Sequence, residues 1–181
     1  MGDPYSPTLQ AKELLALLDR YEVDYVVVGG LAAIAHGAAR ATFDIDLVPD
    51  WSASNLERLA LALREADALL RVPDGQPIEY PIDAESLGAF EVSTWRTRYG
   101  DVDIITGTPT IQRGHLADYN ELARRAHRRE AFGITILVAD LSDLIESKQV
   151  LARDPDLAAL PELHRLRDRH AKRGINPLGR P

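Results

Sequence analysis

The segment from Val26 to Val48 constrains this chain more than any other. Val26-Val27-Val28 is a β-branched apolar run and predicts a buried strand. Gly29-Gly30 ends it, and paired glycines let the backbone turn sharply and approach a ligand with no Cβ in the way. Leu31 to Ala35 then starts a helix whose free N–H groups point back at the turn, which makes an anion site. Beyond His36-Gly37 the segment reads Arg40-Ala41-Thr42-Phe43-Asp44-Ile45-Asp46-Leu47-Val48. Asp44 and Asp46 are two apart in a strand pattern, so both carboxylates share one face and the apolar residues between them take the other. Two carboxylates side by side repel unless a cation sits between them. Hard oxygen ligands of this kind suit Mg²⁺, which takes a few carboxylates and completes its shell with substrate phosphates.

The order of these features resembles the signature of the DNA polymerase-β-like nucleotidyltransferases: a Gly-Gly turn, a spacer, an Asp-x-Asp strand and a third acidic residue on a later strand. The form here, Gly29-Gly30 then Arg40-x-Thr42-x-Asp44-Ile45-Asp46-Leu47, is similar to the minimal nucleotidyltransferases. Many of those are toxins of bacterial toxin–antitoxin pairs, the AbiEii-like and MenT-like groups. Farther on, Leu144-Ile145-Glu146-Ser147-Lys148 and Arg153-Asp154-Pro155-Asp156 are similar to that family's Lys…Arg-x-Lys-Asp pattern. The chain departs from it at Pro155, where a Lys is common, and at Ala159, which replaces an Asp.

At 181 residues and 45% hydrophobic, the chain suits one α/β domain, or a core with a small helical appendage. The expected division is a nucleotidyltransferase core over 1–139, a C-terminal helical segment over 140–173 and a flexible tail over 174–181. No apolar run approaches the roughly 18 residues of a membrane span, and no secretory signal is visible. The absence of cysteine excludes disulfides and thiolate metal sites, and a cytoplasmic location follows as the default. A net charge of −7 argues against a surface that coats nucleic acid throughout, but it allows a local basic face.

In chain order, a helix from a Thr8 cap to about Tyr21 precedes the first strand, and Met1 to Pro7 reads as loose. A long helix capped by Ser52 or Ser54 is expected to reach about Leu70, with Leu56, Leu59, Leu63 and Ala66 inward. Residues 76–88 give no clear pattern and read as a lid or a short helix. Phe90–Tyr99 reads as a strand that turns at Gly100 into Asp101-Val102-Asp103-Ile104-Ile105, a hairpin. A loop covers Gly107–Gly114. Leu116 to about Arg129 is expected to be one helix, followed by a strand over Gly133–Ala139. A helix over Leu141–Arg153 opens at Asp140 or Ser142, and Pro155 starts a last helix to about Lys172, with a break near Pro161.

The candidate catalytic and metal-binding residues are Asp44, Asp46 and Asp103. Asp103 is preferred to Asp101, which would share its face but lies beside the turn, where solvent suffices to explain it. The nucleotide-binding candidates are Gly29, Gly30, Arg40, Thr42, Lys148 and Arg153. Arg40 has three readings: a bidentate contact to a triphosphate, a buttress to Asp44 or a solvated loop charge. Thr42 also reads as a turn or hydrogen-bonding residue. Arg153 and Asp156 also read as a mutual brace. His36 reads as a capping or packing residue. The run Arg124, Arg125, Arg128 and Arg129, and a second cluster over His164–Arg173, are candidate RNA contacts beside the simpler reading of solvated helix faces.

The fold implied is a small mixed β-sheet of the polymerase-β palm type, with packed helices and a C-terminal helical pair. The resemblance implies transfer of a nucleotide from an NTP to an acceptor hydroxyl with Mg²⁺ or Mn²⁺. It further implies a tRNA acceptor, a toxin role and a cognate antitoxin. The alternatives are transfer to a protein or to a small molecule such as an aminoglycoside, and a non-catalytic nucleotide-binding regulator or antitoxin.

Overall fold

A computed structural model describes residues 8–73 and 75–172. The loose start and the tail expected at the two ends lie outside them. In chain order the elements are α1 (Ala11–Arg20), β1 (Tyr25–Val28), α2 (Gly29–Ala35), β2 (Asp44–Pro49), α3 (Ala53–Glu65), β3 (Leu69–Leu70), α4 (Ala84–Gly88), β4 (Val92–Thr97), β5 (Gly100–Ile105), β6 (Thr108–Pro109), β7 (Leu116–Ala117), α5 (Tyr119–Arg125), β8 (His127–Ala131), β9 (Ile134–Val138), α6 (Leu141–Leu151) and α7 (Asp154–Lys172). The fold is α/β, with one mixed sheet in the order β3-β4-β5-β2-β1-β9-β8 and a small β6-β7 pair beside it.

The centre of the sheet is built from the most apolar strands. Val26, Val27, Ile45, Leu47, Val102 and Ile104 are nearly inaccessible to solvent. α1 buries Leu14, Leu15, Leu17 and Leu18, and α3 buries Leu56, Leu59, Ala60 and Leu63, as their spacing predicts. β4 and β5 form an antiparallel hairpin in which Thr97 lies opposite Gly100. Among the described residues no helix is long and apolar enough to cross a membrane.

Four expectations about local structure are corrected. α1 begins at Ala11 behind Gln10, whose N–H is taken by the Tyr99 carbonyl at 2.7 Å, so Thr8 is not its cap. α3 stops at Glu65 because Asp67 turns into the left-handed region (φ 53°), and Leu69-Leu70 then pair with Arg96 and Trp95 as strand. α7 runs through Pro161 without a break.

The largest correction is the expected helix Leu116–Arg129. Leu116-Ala117 is strand, paired with β6. Asp118 caps α5 by accepting from the Glu121 N–H at 2.9 Å. Ala126 leaves the helix with extended backbone, and His127–Ala131 pairs antiparallel with β9. The turn between them, Phe132-Gly133, has positive φ at both residues (56° and 84°), the conformation of a tight hairpin.

α6 opens at Asp140, whose carboxylate accepts from the Ser142 N–H at 2.8 Å, and it ends at Ala152 in the left-handed region. α7 then folds back against α6. This antiparallel pair carries Lys148, Arg153 and Asp156 to the carboxyl end of β1.

Candidate active site

The floor of the site is one row across the sheet. β1 places Val28 opposite Asp46, β2 places Asp46 opposite Asp103, and β5 places Asp103 opposite Thr94. Paired residues put their side chains on one face, so Asp46, Asp103 and Thr94 form a line, with Asp44 and Asp101 side by side in the next row.

The two glycines before this row are dictated by it. Gly29 has φ +59°, and a Cβ there would stand 1.9 Å from Asp46 Oδ2. A Cβ on Gly30 would stand 2.6 Å from Thr42 Oγ1. The Gly30 N–H donates to the Asp46 carboxylate. The anion met at the start of α2 in this structure is therefore Asp46. Thr42 Oγ1 lies 3.0 Å from Asp44 Oδ1 and 3.2 Å from the Asp44 carbonyl, so its hydroxyl steadies the first carboxylate of the pair.

A cleft of about 400 Å³ stands over the row. Asp44, Asp46 and Asp103 line it from the sheet, Gly29 and Gly30 from the start of α2, and Lys148, Arg153 and Asp156 from α6, α7 and the link between them. Val92, Ile105, Pro109, Leu144 and Leu151 supply an apolar wall. Lys148 Nζ donates to Asp156 Oδ1 at 3.0 Å, and Arg153 Nε donates to Asp156 Oδ2 at 2.7 Å. Asp156 is buried, which alone would raise its pKa, but the two donors outweigh that and hold it below the ordinary carboxylate value.

The floor is less well compensated. Burial, with the charges of Asp44 and Asp103 added, pushes Asp46 up to about 7, against the opposing pull of the Gly30 N–H and Lys148. Burial also raises Asp103, although Thr94 donates a hydrogen bond to it. Asp103 Oδ1 is buried with no hydrogen-bond partner. A divalent cation fits this donor set, because it would relieve the mutual repulsion and satisfy the orphaned oxygen. Among the described residues no three acidic or histidine side chains close into a ready-made cage.

Several expected residues stand elsewhere. Arg40 does not line the cleft; its Nη1 donates to the Pro155 carbonyl at 3.3 Å, at the first turn of α7. Asp101 is buried rather than solvated and is ion-paired with Arg71 Nη1 at 3.0 Å and Arg96 Nε at 3.2 Å. The basic run is divided. Arg125 is spent on Asp143 at 2.7 Å, while Arg128 lies on β8 in a hollow shared with Asp19, Glu22 and Asp24. Arg124 and Arg128 therefore do not share a helix face. His36 is a packing residue whose Nε2 donates to the Ala139 carbonyl at 2.8 Å, and burial depresses its pKa to about 4.

Thr94, Arg71 and Arg96 escaped the sequence reading. The signal for them was present: once the hairpin turns at Tyr99-Gly100, counting back from Gly100 puts Thr94 opposite Asp103 and Arg96 opposite Asp101.

No protein-family model matches the chain, and no curated protein matches it. Solved structures do. The lincosamide antibiotic adenylyltransferase LnuA, in its lincomycin-bound crystal structure, is similar with a TM-score of 0.53 and 16% identity, over 88% of this chain and 99% of its own. The chain has the fold of a nucleotidyltransferase. A second structure, the antibiotic-resistance factor ANT(2'')-Ia in solution, is similar with a TM-score of 0.50 and 13% identity, over 90% of each chain. At these identities the likeness establishes the fold, and the chemistry rests on the geometry of the cleft.

Proposed function

We propose that the protein is a Mg²⁺-dependent nucleotidyltransferase that moves an NMP from an NTP to an acceptor hydroxyl. One observation carries this reading: Asp44, Asp46 and Asp103 are gathered on a rigid sheet, with their repulsion only partly offset, under Lys148 and Arg153. Asp44 and Asp46, with Asp103, would hold the divalent ions, which when bound neutralise phosphate charge and favour ionisation of the attacking hydroxyl. Mn²⁺ could replace Mg²⁺ in such an oxygen site.

The chain's own residues do the rest. Lys148 and Arg153 take triphosphate oxygens from the helix side while Asp156 keeps their heads in place. The glycine turn lets the phosphates approach the backbone. Asp103, whose Oδ1 would face the ions, accepts the proton of the acceptor hydroxyl through its other carboxylate oxygen, the one Thr94 now holds. The acceptor oxygen bonds the α-phosphorus, the bond from that phosphorus to the bridging oxygen breaks, and pyrophosphate leaves. Positioning and charge account for most of the acceleration.

The acceptor in this reading is tRNA, and the protein is a growth-inhibiting toxin with a cognate antitoxin; this step is drawn from the likeness of Gly29-Gly30…Asp44-x-Asp46 and Lys148…Arg153 to the minimal toxin nucleotidyltransferases. A second reading is transfer to a small hydroxylated molecule. The apolar wall of Val92, Ile105, Pro109 and Leu151 favours it, as does the similarity to an adenylyltransferase whose structure holds lincomycin.

The test incubates the protein with each NTP, labelled at the α- or the γ-phosphate, with Mg²⁺ and total tRNA. Transfer of the α-label to tRNA, with the γ-label released in pyrophosphate, is the expected result. An α-label that moves to no macromolecule but to an added aminoglycoside or lincosamide would favour the second reading. No transfer from any NTP to any acceptor would contradict both.

A further inference from the structure

The catalytic row does not end at Asp103. Leu69 and Leu70 of β3 pair with Arg96 and Trp95, and the next residue, Arg71, donates its backbone N–H to the Thr94 carbonyl at 2.8 Å. The register thus runs Asp46, Asp103, Thr94, Arg71, with side chains on one face of the sheet. The contact of Arg71 Nη1 with Asp101 Oδ2 places its side chain on that face, since Asp101 and Asp103 are two apart on β5. Two strand spacings put the Cα atoms of Arg71 and Asp103 about 10 Å apart.

Asp101 is 5% exposed and accepts from Arg96 as well as Arg71. A buried carboxylate of this kind acts as a fixed anchor. It pins one nitrogen of the Arg71 fork, yet the Arg71 side chain remains 40% exposed. A guanidinium so held loses little freedom when it takes an anion, and its planar fork suits phosphate oxygens. Its charge is felt at Asp103.

The position says which anion. Lys148 and Arg153 line the cleft with their charges felt at Asp46, and in the reading above they serve the NTP. Arg71 lies two strands beyond Asp103 on the β4 side, just outside the lining of the cleft, where an acceptor that enters from that side would pass it. We infer that Arg71, oriented by Asp101, seats a backbone phosphate of an RNA acceptor beside the hydroxyl that Asp103 serves. This rests on the nucleotidyl-transfer reading above. Arg71 is the acceptor-side counterpart of Lys148, and Asp101 is its positioning residue.

Binding of total tRNA, titrated at several salt concentrations, tests this in parallel with binding of NTP and Mg²⁺. Wild type, Arg71→Gln, Arg71→Lys and Asp101→Asn are compared, with thermal midpoints recorded. Arg71→Gln should raise the tRNA Kd about tenfold and lower the slope of log K against log salt by about 0.7–0.9, the share of one phosphate contact. NTP affinity should not change. Arg71→Lys should restore the slope, because it restores the charge. Asp101→Asn should keep the slope but weaken binding, because the charge remains and its anchor is lost. A merely structural Arg71 would lower the midpoint and leave the slope unmoved, which would overturn the proposal. It is equally overturned if the wild type binds NTP but no tRNA. Failure to bind NTP at all would instead remove the nucleotidyl-transfer reading beneath it.

Discussion

On the sheet side of the cleft, Asp44, Asp46 and Asp103 press like charges together, and burial raises the proton affinity of two of them. On the helix side, Lys148 and Arg153 meet a buried Asp156 at 3.0 and 2.7 Å, and their charges are met within the chain. The floor is rigid and frustrated, and the wall is satisfied. In the proposed reaction the floor gains most from a cation, while Lys148 and Arg153, held by Asp156, share their charge with a phosphate. A site that binds a metal–triphosphate needs both behaviours a few ångströms apart.

The sharpest way to break this contrast is to relieve the floor. Asp46→Asn should abolish nucleotide transfer, by about 10³-fold or more, since it removes several kcal/mol of charge stabilisation from the phosphoryl transition state. Steady-state transfer of α-labelled NTP checks this, and an active variant would remove Asp46 from the metal site.

A second variant attacks the fit between turn and floor. Gly29→Ala forces a Cβ into Asp46 Oδ2 at a residue with φ +59°. We expect a loss of about 1–3 kcal/mol in stability by denaturant titration, with activity falling further than stability explains. Wild-type stability would show that the turn can relax and that Asp46 does not dictate the glycine.

On the wall, Lys148→Ala should raise the KM for NTP about tenfold, or lower kcat if the contact forms only in the transition state. Stability should fall by only about 1 kcal/mol, because Asp156 keeps Arg153. Kinetics equal to wild type would remove Lys148 from the site. The smallest effect belongs to the opposite end of the sheet. Arg128→Glu, in a hollow that already holds Asp19, Glu22 and Asp24, should leave NTP turnover unchanged. A tenfold loss there would show that β8 reaches the reaction.

Much of the site was legible in the sequence because it depends on short-range geometry. Alternation along β2 put Asp44 and Asp46 on one face, and the Val-Asp-Ile pattern of β5 offered Asp103. The turn at Gly100 signalled the hairpin. What was not legible depends on pairing between distant segments. The sequence 116–129 has helical spacing over part of its length, yet Leu116-Ala117 and His127–Ala131 are claimed by β6 and β9, so strand pairing overrides local propensity. Leu69-Leu70 was likewise taken from α3 by β4. Arg71 and Asp101 belong to the same class: each looks like an isolated charge until β3, β4 and β5 are laid side by side. Arg40 shows the opposite case, a residue just ahead of the Asp44–Asp46 pair in sequence that folds toward α7.

If the floor stores charge repulsion for a cation to relieve, thermal unfolding across pH, with and without Mg²⁺, measures it directly. Asp46 has a folded-state pKa of about 7 against an ordinary value of 3.8, so the folded protein binds the extra proton. The wild type should therefore lose stability as pH rises from about 4 to 7, with the full penalty present above 7. At pH 8 without Mg²⁺, Asp46→Asn should be the more stable protein by about 2–4 kcal/mol, and at pH 4 the two should agree. Mg²⁺ should raise the wild-type midpoint at pH 8 and leave the variant nearly unmoved, which narrows the gap. A variant less stable than wild type at pH 8, together with a wild type indifferent to Mg²⁺, would contradict the claim.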